Sequence, residues 1–192
     1  SMFQADFFQN LLLDAIVVLH RNYSGDYSEK LELFYSDSGL IKKSISKMYH
    51  DKWEIKCQGM IELSEMNIKN VYPDILELTK VKNKTVKMTA LVASFKLNGL
   101  AAVETLKYQV DPIDDWIQLN LFHVIKHNDL FDIPDLSYLL DSKNEIVVVF
   151  GLRLIKLFNQ TQYYLSVYEL ITNSSSESIR NQASKTCEGV SI

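Results

Sequence analysis

One spacing constrains this chain more than any other feature. Five apolar residues, Ile55, Val86, Ile117, Val147 and Ile179, stand 31, 31, 30 and 32 positions apart. Four residues after each comes Gly59, Ala90, Leu121, Gly151 or Ala183, small in four of the five cases. A second series, Ile75, Leu106, Leu136 and Val167, runs between them at intervals of 31, 30 and 31. A period of about 20–50 residues marks a supersecondary unit that cannot bury its apolar face alone and must stack on its neighbours. The chain is therefore expected to be all-α, a helical solenoid. Such a fold offers a surface for holding something rather than a cleft for chemistry.

From Asp51 onward each unit reads as a helix, a turn and a second helix. The first helices are expected over 52–65, 84–97, 115–127, 145–158 and 177–188. The second helices are expected over 70–81, 100–110, 133–141 and 162–172. Asn83, Asp114, Asn144 and Ser176 each stand three positions before the repeated apolar residue. All four are residue types whose side-chain oxygen can accept from an orphan N–H of a helix's first turn. The small residues suit close packing, since helix axes lie roughly 8–10 Å apart depending on the side chains between them. Leu121 departs from that rule and predicts wider spacing or a bend at the third unit. Pro73 and Pro134 occupy matching places at the start of second helices, where a missing N–H does no harm. The run Ile146 to Phe150 looks strand-like by itself. Its place in the register, with Leu152, Leu154, Ile155 and Leu157 following, predicts a helix buried on most sides.

Residues 1–50 do not show the period and read as an N-terminal helical cap on a solenoid of residues 51–192, about four and a half units in one continuous domain. An amphipathic helix is expected over 3–21 with Phe7, Leu11, Ala15 and Val18 along one stripe. Ser28 is the expected N-cap of a short helix ending near Tyr35. A third, from Leu40 to Tyr49, carries Lys42, Lys43 and Lys47 on its wet side. The apolar run from Phe7 to Leu19 is interrupted by Gln9, Asn10 and Asp14, and is shorter than the roughly 20 residues of a membrane span. It also lacks the features of a signal peptide. Ser1-Met2 reads as a cloning scar, which points to a piece of a longer protein.

Composition narrows the function classes. With 6 Gly and 3 Pro in 192 residues, turns are too few for a β-sandwich. A net charge of −4 gives no electrostatic reason to seek nucleic acid. Cys57 and Cys187, far apart and both on expected helices, read as free thiols of a reducing, cytoplasmic compartment. Four Asn-x-Ser/Thr triplets, beginning at Asn22, Asn83, Asn159 and Asn173, read as chance.

The patterns Val86-Lys87 through Ala90 and Ile179-Arg180 through Ala183 resemble the signature of HEAT repeats, and Ile55-Lys56 through Gly59 is a near match. Ile117-Gln118 and Val147-Val148 lack the basic residue, which interrupts any charge ladder. More loosely, the text from Asn22-Tyr23-Ser24-Gly25 through Trp53 to Asn67 is similar to bacterial HEAT-repeat proteins of unassigned function, some with a membrane anchor upstream. The resemblance implies an α-α superhelix acting as a scaffold or adaptor, generally without catalysis or cofactor. It admits membrane attachment only through such an anchor. Armadillo arrays are a near alternative with longer units.

Candidate chemistry is sparse. His123 and His127 share a helix face, but a zinc site needs at least a third ligand, and Asp129 is the only carboxylate nearby. Asp114 and Asp115 suit a helix N-terminus through its dipole. No nucleophile elbow, phosphate loop or dinucleotide fingerprint is present. The expected working surface is the concave face lined by second helices. There the outward positions are Asp74 and Glu77, Thr105 and Tyr108, Asp135 and Tyr138, Ser166 and Glu169. This acidic stripe with two tyrosines is either an ordinary solvated face or a groove for a basic or amphipathic peptide segment of a protein partner. The alternative is an enzyme acting on nucleic acid, of the alkylpurine DNA glycosylase type that HEAT-like repeats can also build. Such an enzyme needs a basic, aromatic-lined face, since phosphate contacts dominate DNA affinity, and this stripe carries Asp74, Glu77, Asp135 and Glu169.

Overall fold

The computed structural model describes residues 2–127 and 133–189, with the side chains of 2–6, 108, 126 and 127 outside that description. Among the described residues the chain is all-α, without a strand. The helices are α1 (Met2–Asn22), α2 (Asp26–Asp37), α3 (Leu40–Met48), α4 (Trp53–Glu65), α5 (Tyr72–Leu78) and α6 (Lys84–Asn98). They continue as α7 (Asp115–His127), α8 (Ser137–Leu140), α9 (Glu145–Leu157), α10 (Tyr164–Asn173) and α11 (Glu177–Gly189). The chain divides into two compact units, Ser1–Gly99 and Leu100–Ile192.

The expected first helices α4, α6, α7, α9 and α11 all form within a residue or so of their expected bounds. The starts of α6, α7, α9 and α11 are held as the caps require, whereas α4 begins after Lys52 without a side-chain cap. Asn83 accepts from Val86 N at 3.1 Å, Asp114 from Ile117 N at 2.9 Å, Asn144 from Ile146 N at 3.1 Å and Ser176 from Ile179 N at 3.2 Å. The four-residue-later positions Gly59, Ala90, Leu121, Gly151 and Ala183 are all buried. So are Ile75, Leu106, Leu136 and Val167 of the second series. Helix ends recur as well. Asn67 and Asn159 adopt positive φ of 52° and 48° two residues past the ends of α4 and α9, and Gly99, directly after α6, turns the chain at φ 55°.

Second helices are shorter and tighter than expected. A 3₁₀ turn, Lys69–Val71, leads into α5, and Thr161–Tyr163 leads into α10. Residues Gly99–Tyr108 form a 3₁₀-helix rather than an α-helix. The reason is visible in burial: Leu100, Val103, Leu106 and Gln109 are buried, whereas Ala101, Glu104, Lys107 and Val110 are exposed. That is a period of three, which a 3₁₀-helix satisfies by eclipsing side chains at i and i+3. In place of a helix over 133–141, only α8 forms. Pro134 precedes it outside the first turn, and the Asp135 carboxylate takes the Ser137 N–H at 2.9 Å.

In the unit Ser1–Gly99, α4 packs between α3 and α6, and α5 lies against α6. Met48, Met60, Leu63, Val71, Ile75, Val86, Ala90, Ala93 and Leu97 form its larger core. Gly59 is required by the crossing of α3 over α4: a Cβ there would stand 2.7 Å from the Ser44 carbonyl oxygen. Ser44 lies 31 positions before Ile75 and is fully buried. The period thus reaches α3, at a place where the apolar residue is missing. A second core joins α1 and α2 through Leu13, Ile16, Val17 and Tyr35.

Three N-terminal expectations are corrected here. The stripe Phe7, Leu11, Ala15, Val18 is exposed, and α1 packs through its other side. Helix α2 begins at Asp26 behind Gly25, and Ser28 is inside its first turn, donating to Gly25 O at 2.8 Å. Lys47 turns inward, donating to Glu62 Oε1 at 2.5 Å.

In the unit Leu100–Ile192, α9 packs on α8 and α11, and α11 on α10. Val147, Val148, Val149, Phe150, Gly151, Leu152, Leu154 and Ile155 are all buried, as a helix enclosed on most sides should be. A Cβ at Gly151 would meet Leu139 Cβ of α8 at 2.7 Å, much as Gly59 meets α3. Phe122 of α7 reaches Phe150 with ring centroids 4.7 Å apart, and Arg153 donates to Gln118 at 3.0 Å. One stretch, Lys84–Lys107, is long and apolar enough to cross a membrane by length and composition alone, but 61% of its apolar window is buried inside the fold.

Candidate functional site

The expected stripe falls into two groups of residues, one in each unit. In the first, Pro73 sets the start of α5, placing Asp74 in its first turn, where the helix dipole favours a carboxylate. Asp74 and Glu77 are both exposed, one turn apart. The Tyr49 hydroxyl donates to Asp74, and partial burial together with that carboxylate raises the Tyr49 pKa. Glu77 accepts from Lys80 at 2.7 Å, a surface pair of small energetic consequence.

The second group is better organised. Asp135 accepts from Ser137 N at 2.9 Å, Ser137 Oγ at 2.8 Å and Tyr163 OH at 2.8 Å. The Tyr163 oxygen in turn accepts from Leu136 N at 2.9 Å. The Ser137 amide, then its hydroxyl, then Tyr163 hold the Asp135 carboxyl below the usual carboxylate range. Tyr138 is half-buried, and its hydroxyl is enclosed without a hydrogen-bond partner. Burial first, and then the Glu104 and Asp135 carboxylates, raise its pKa. Thr105 is also half-buried and donates to Ala102 O at 2.7 Å. Ser166 and Glu169 are exposed on α10. The Tyr108 side chain lies outside the described residues.

Geometry therefore brings together Asp135, Tyr138 and Tyr163 in one unit and Asp74, Glu77 and Tyr49 in the other. The sequence reading missed Tyr49 and Tyr163, which partner the two aspartates. It also missed Leu165 and Tyr168, exposed on α10 beside Glu169, with the Tyr168 ring 6.5 Å from that of Tyr164. Tyr72 and Tyr164 open corresponding helices, a recurrence that could have drawn attention to the 3₁₀ turns before them.

A further polar cluster lies inside the first unit. Ser44 Oγ donates to Glu62 Oε2 at 2.6 Å while Lys47 holds the other carboxylate oxygen. Beside them the Tyr35 hydroxyl is enclosed without a partner, and its pKa is raised by burial. Serine, lysine and glutamate could in principle support nucleophilic chemistry, but here their bonds satisfy one another and pin α3 to α4. His123 is exposed, and the His127 side chain and Asp129 lie outside the described residues. No group of three His, Cys, Asp or Glu among the described residues is placed to hold a metal. The crevice lined by Ile155, Val167 and Cys187 has no room for a water molecule.

Comparison with protein-family models, with curated proteins and with solved structures finds no match for this chain. Fold and site together define an all-α protein of paired helices whose exposed second-helix residues include the carboxylates Asp74, Glu77 and Glu169.

Proposed function

We propose that the chain is a HEAT-like α-α superhelix acting as a non-enzymatic cytoplasmic scaffold. Its second helices bind a basic segment of a partner protein. The observation that carries the repeat reading is the joint recurrence in one register of a cap, an apolar residue (buried at Val86, Ile117 and Val147, half-buried at Ile179) and a buried close-packing position. What supports a basic ligand is the exposure of Asp74, Glu77, Glu104, Asp135 and Glu169 on or beside second helices. Rim charges of this kind steer association and set specificity more than they add affinity.

Two measurements test the two parts. A compact globule of this length has a radius of gyration of about 16 Å, and a single-file array exceeds it in small-angle scattering. A value at the compact limit counts against the superhelix. A lysine-rich fluorescent peptide should bind with an affinity that falls as salt rises. Charge reversal at Asp74, Glu77 and Glu169 together should slow association and weaken that binding about tenfold at low salt, with the folded helical signal retained. Equal binding by the reversed variant defeats the peptide-scaffold reading.

A further inference from the structure

Helix α1 is apolar on two sides, and the fold uses one. Leu13, Ile16 and Val17 are buried against α2 and its neighbours. On the opposite side Phe7 is 67% exposed, Phe8 62%, Leu11 58%, Val18 54% and Leu19 43%, with Ala15 exposed between them. The inner members of this face, Phe8, Leu11, Ala15 and Val18, follow one another at intervals of three, four and three. That is the strict alternation of a coiled-coil seam, narrower than the stripe of a helix lying on a globular core.

We propose that this seam pairs α1 with α1 of a second copy, antiparallel, about a twofold axis level with Leu13. In that arrangement each layer sets a larger side chain against a smaller one, Phe8 on Val18 and Leu11 on Ala15. A parallel pair stacks Phe8 on Phe8 and leaves Ala15 facing Ala15 across a gap. The face presents on the order of 500 Å² of apolar surface per copy, at the upper end of what a monomer leaves open. Pairing two copies removes about 1,000 Å², the size at which a specific interface begins. The helix carries no Lys or Arg before Arg21, whereas a helix lying on a lipid surface flanks its apolar face with basic residues. Arg21 itself is paired with Glu65 at 2.9 Å.

Sedimentation equilibrium of the full chain should give a mass that rises with concentration toward twice 22.1 kDa. Leu11→Glu, or Val18→Glu, should raise the dimer dissociation constant more than tenfold while helical circular dichroism is retained, because neither side chain belongs to the core. In a Cys187→Ser background, Leu11→Cys with Ala15→Cys should oxidise to a covalent dimer, and Leu11→Cys alone should not. A monomer at every concentration overturns the proposal, as does a monomer that sediments with lipid vesicles. A dimer indifferent to both Glu variants places the interface elsewhere, and crosslinking by Leu11→Cys alone overturns the antiparallel pairing. Should Leu11→Glu lose helical signal, Leu11→Ala and the crosslinking pair decide the matter.

Discussion

Gly59→Ala sets two known effects against each other and lets the structure fix the sign. In a helix interior the exchange gains up to about 1 kcal/mol, because glycine has more backbone freedom to lose. At Gly59 the new Cβ would stand 2.7 Å from the Ser44 carbonyl oxygen and closer still to the Met48 amide nitrogen. Both are backbone atoms of α3, so relief demands a shift of the whole helix. That shift strains the Ser44–Glu62 and Lys47–Glu62 bonds, at 2.6 and 2.5 Å, which hold α3 in place. Overpacking of this kind costs typically 1–3 kcal/mol, and the lost bond geometry adds to it, so a net loss of about 2 kcal/mol is expected. Gly189→Ala is the internal control. Its Cβ meets only the far end of the Lys156 side chain, which can move aside, and stability should stay within about 0.5 kcal/mol. Urea unfolding followed by circular dichroism reads both, Gly59→Ala in the transition of the unit Ser1–Gly99 and Gly189→Ala in that of the unit Leu100–Ile192, because two units need not melt together. A Gly59→Ala protein as stable as the parent refutes the close approach of α3 to α4.

Three further outcomes are expected. Tyr35→Phe removes a buried hydroxyl that has no partner and should leave urea stability unchanged or raise it by up to about 1 kcal/mol, whereas Ser44→Ala, which strips a donor from buried Glu62, should lower it by about 1–3 kcal/mol. Asn144→Ala should cost more than Asn83→Ala, which loses a cap worth about 1 kcal/mol, because Asn144 Nδ2 also donates to Gln109 O and Asp111 O at 3.1 and 3.0 Å. The Asp135 carboxyl should titrate below the ordinary aspartate range by carbon-13 NMR and move upward in Tyr163→Phe. Since its folded pKa is the lower one, its contribution to stability is present above the unfolded value and fades as pH falls through the folded value.

Much of this architecture was legible in the order of residues. A 31-residue recurrence of apolar and small positions located every first helix, and four polar residues in fixed phase located the starts of all but α4. Both signals are local: a cap and the first turn it serves are three residues apart, so no distant contact is needed to interpret them. The two candidate aspartates were likewise legible as positions, though their tyrosine partners were not. Tyr163 lies 28 residues from Asp135, and nothing in the intervening text announces that the turn before α10 returns to the start of α8.

What only tertiary structure decided are choices between options of equal local merit. Helix α1 has an apolar stripe on each side, and burial went to Leu13, Ile16 and Val17 because those meet Tyr35 and Met66. Ser44 hid the period in α3, because its buried hydroxyl is satisfied by donating a hydrogen bond to Glu62, a carboxylate on another helix. Lys47 looked like a solvent lysine for the same reason: its partner, Glu62, stands on another helix. Spacing along a chain reveals which residues share a face, but which face is covered depends on what other segments bring to it.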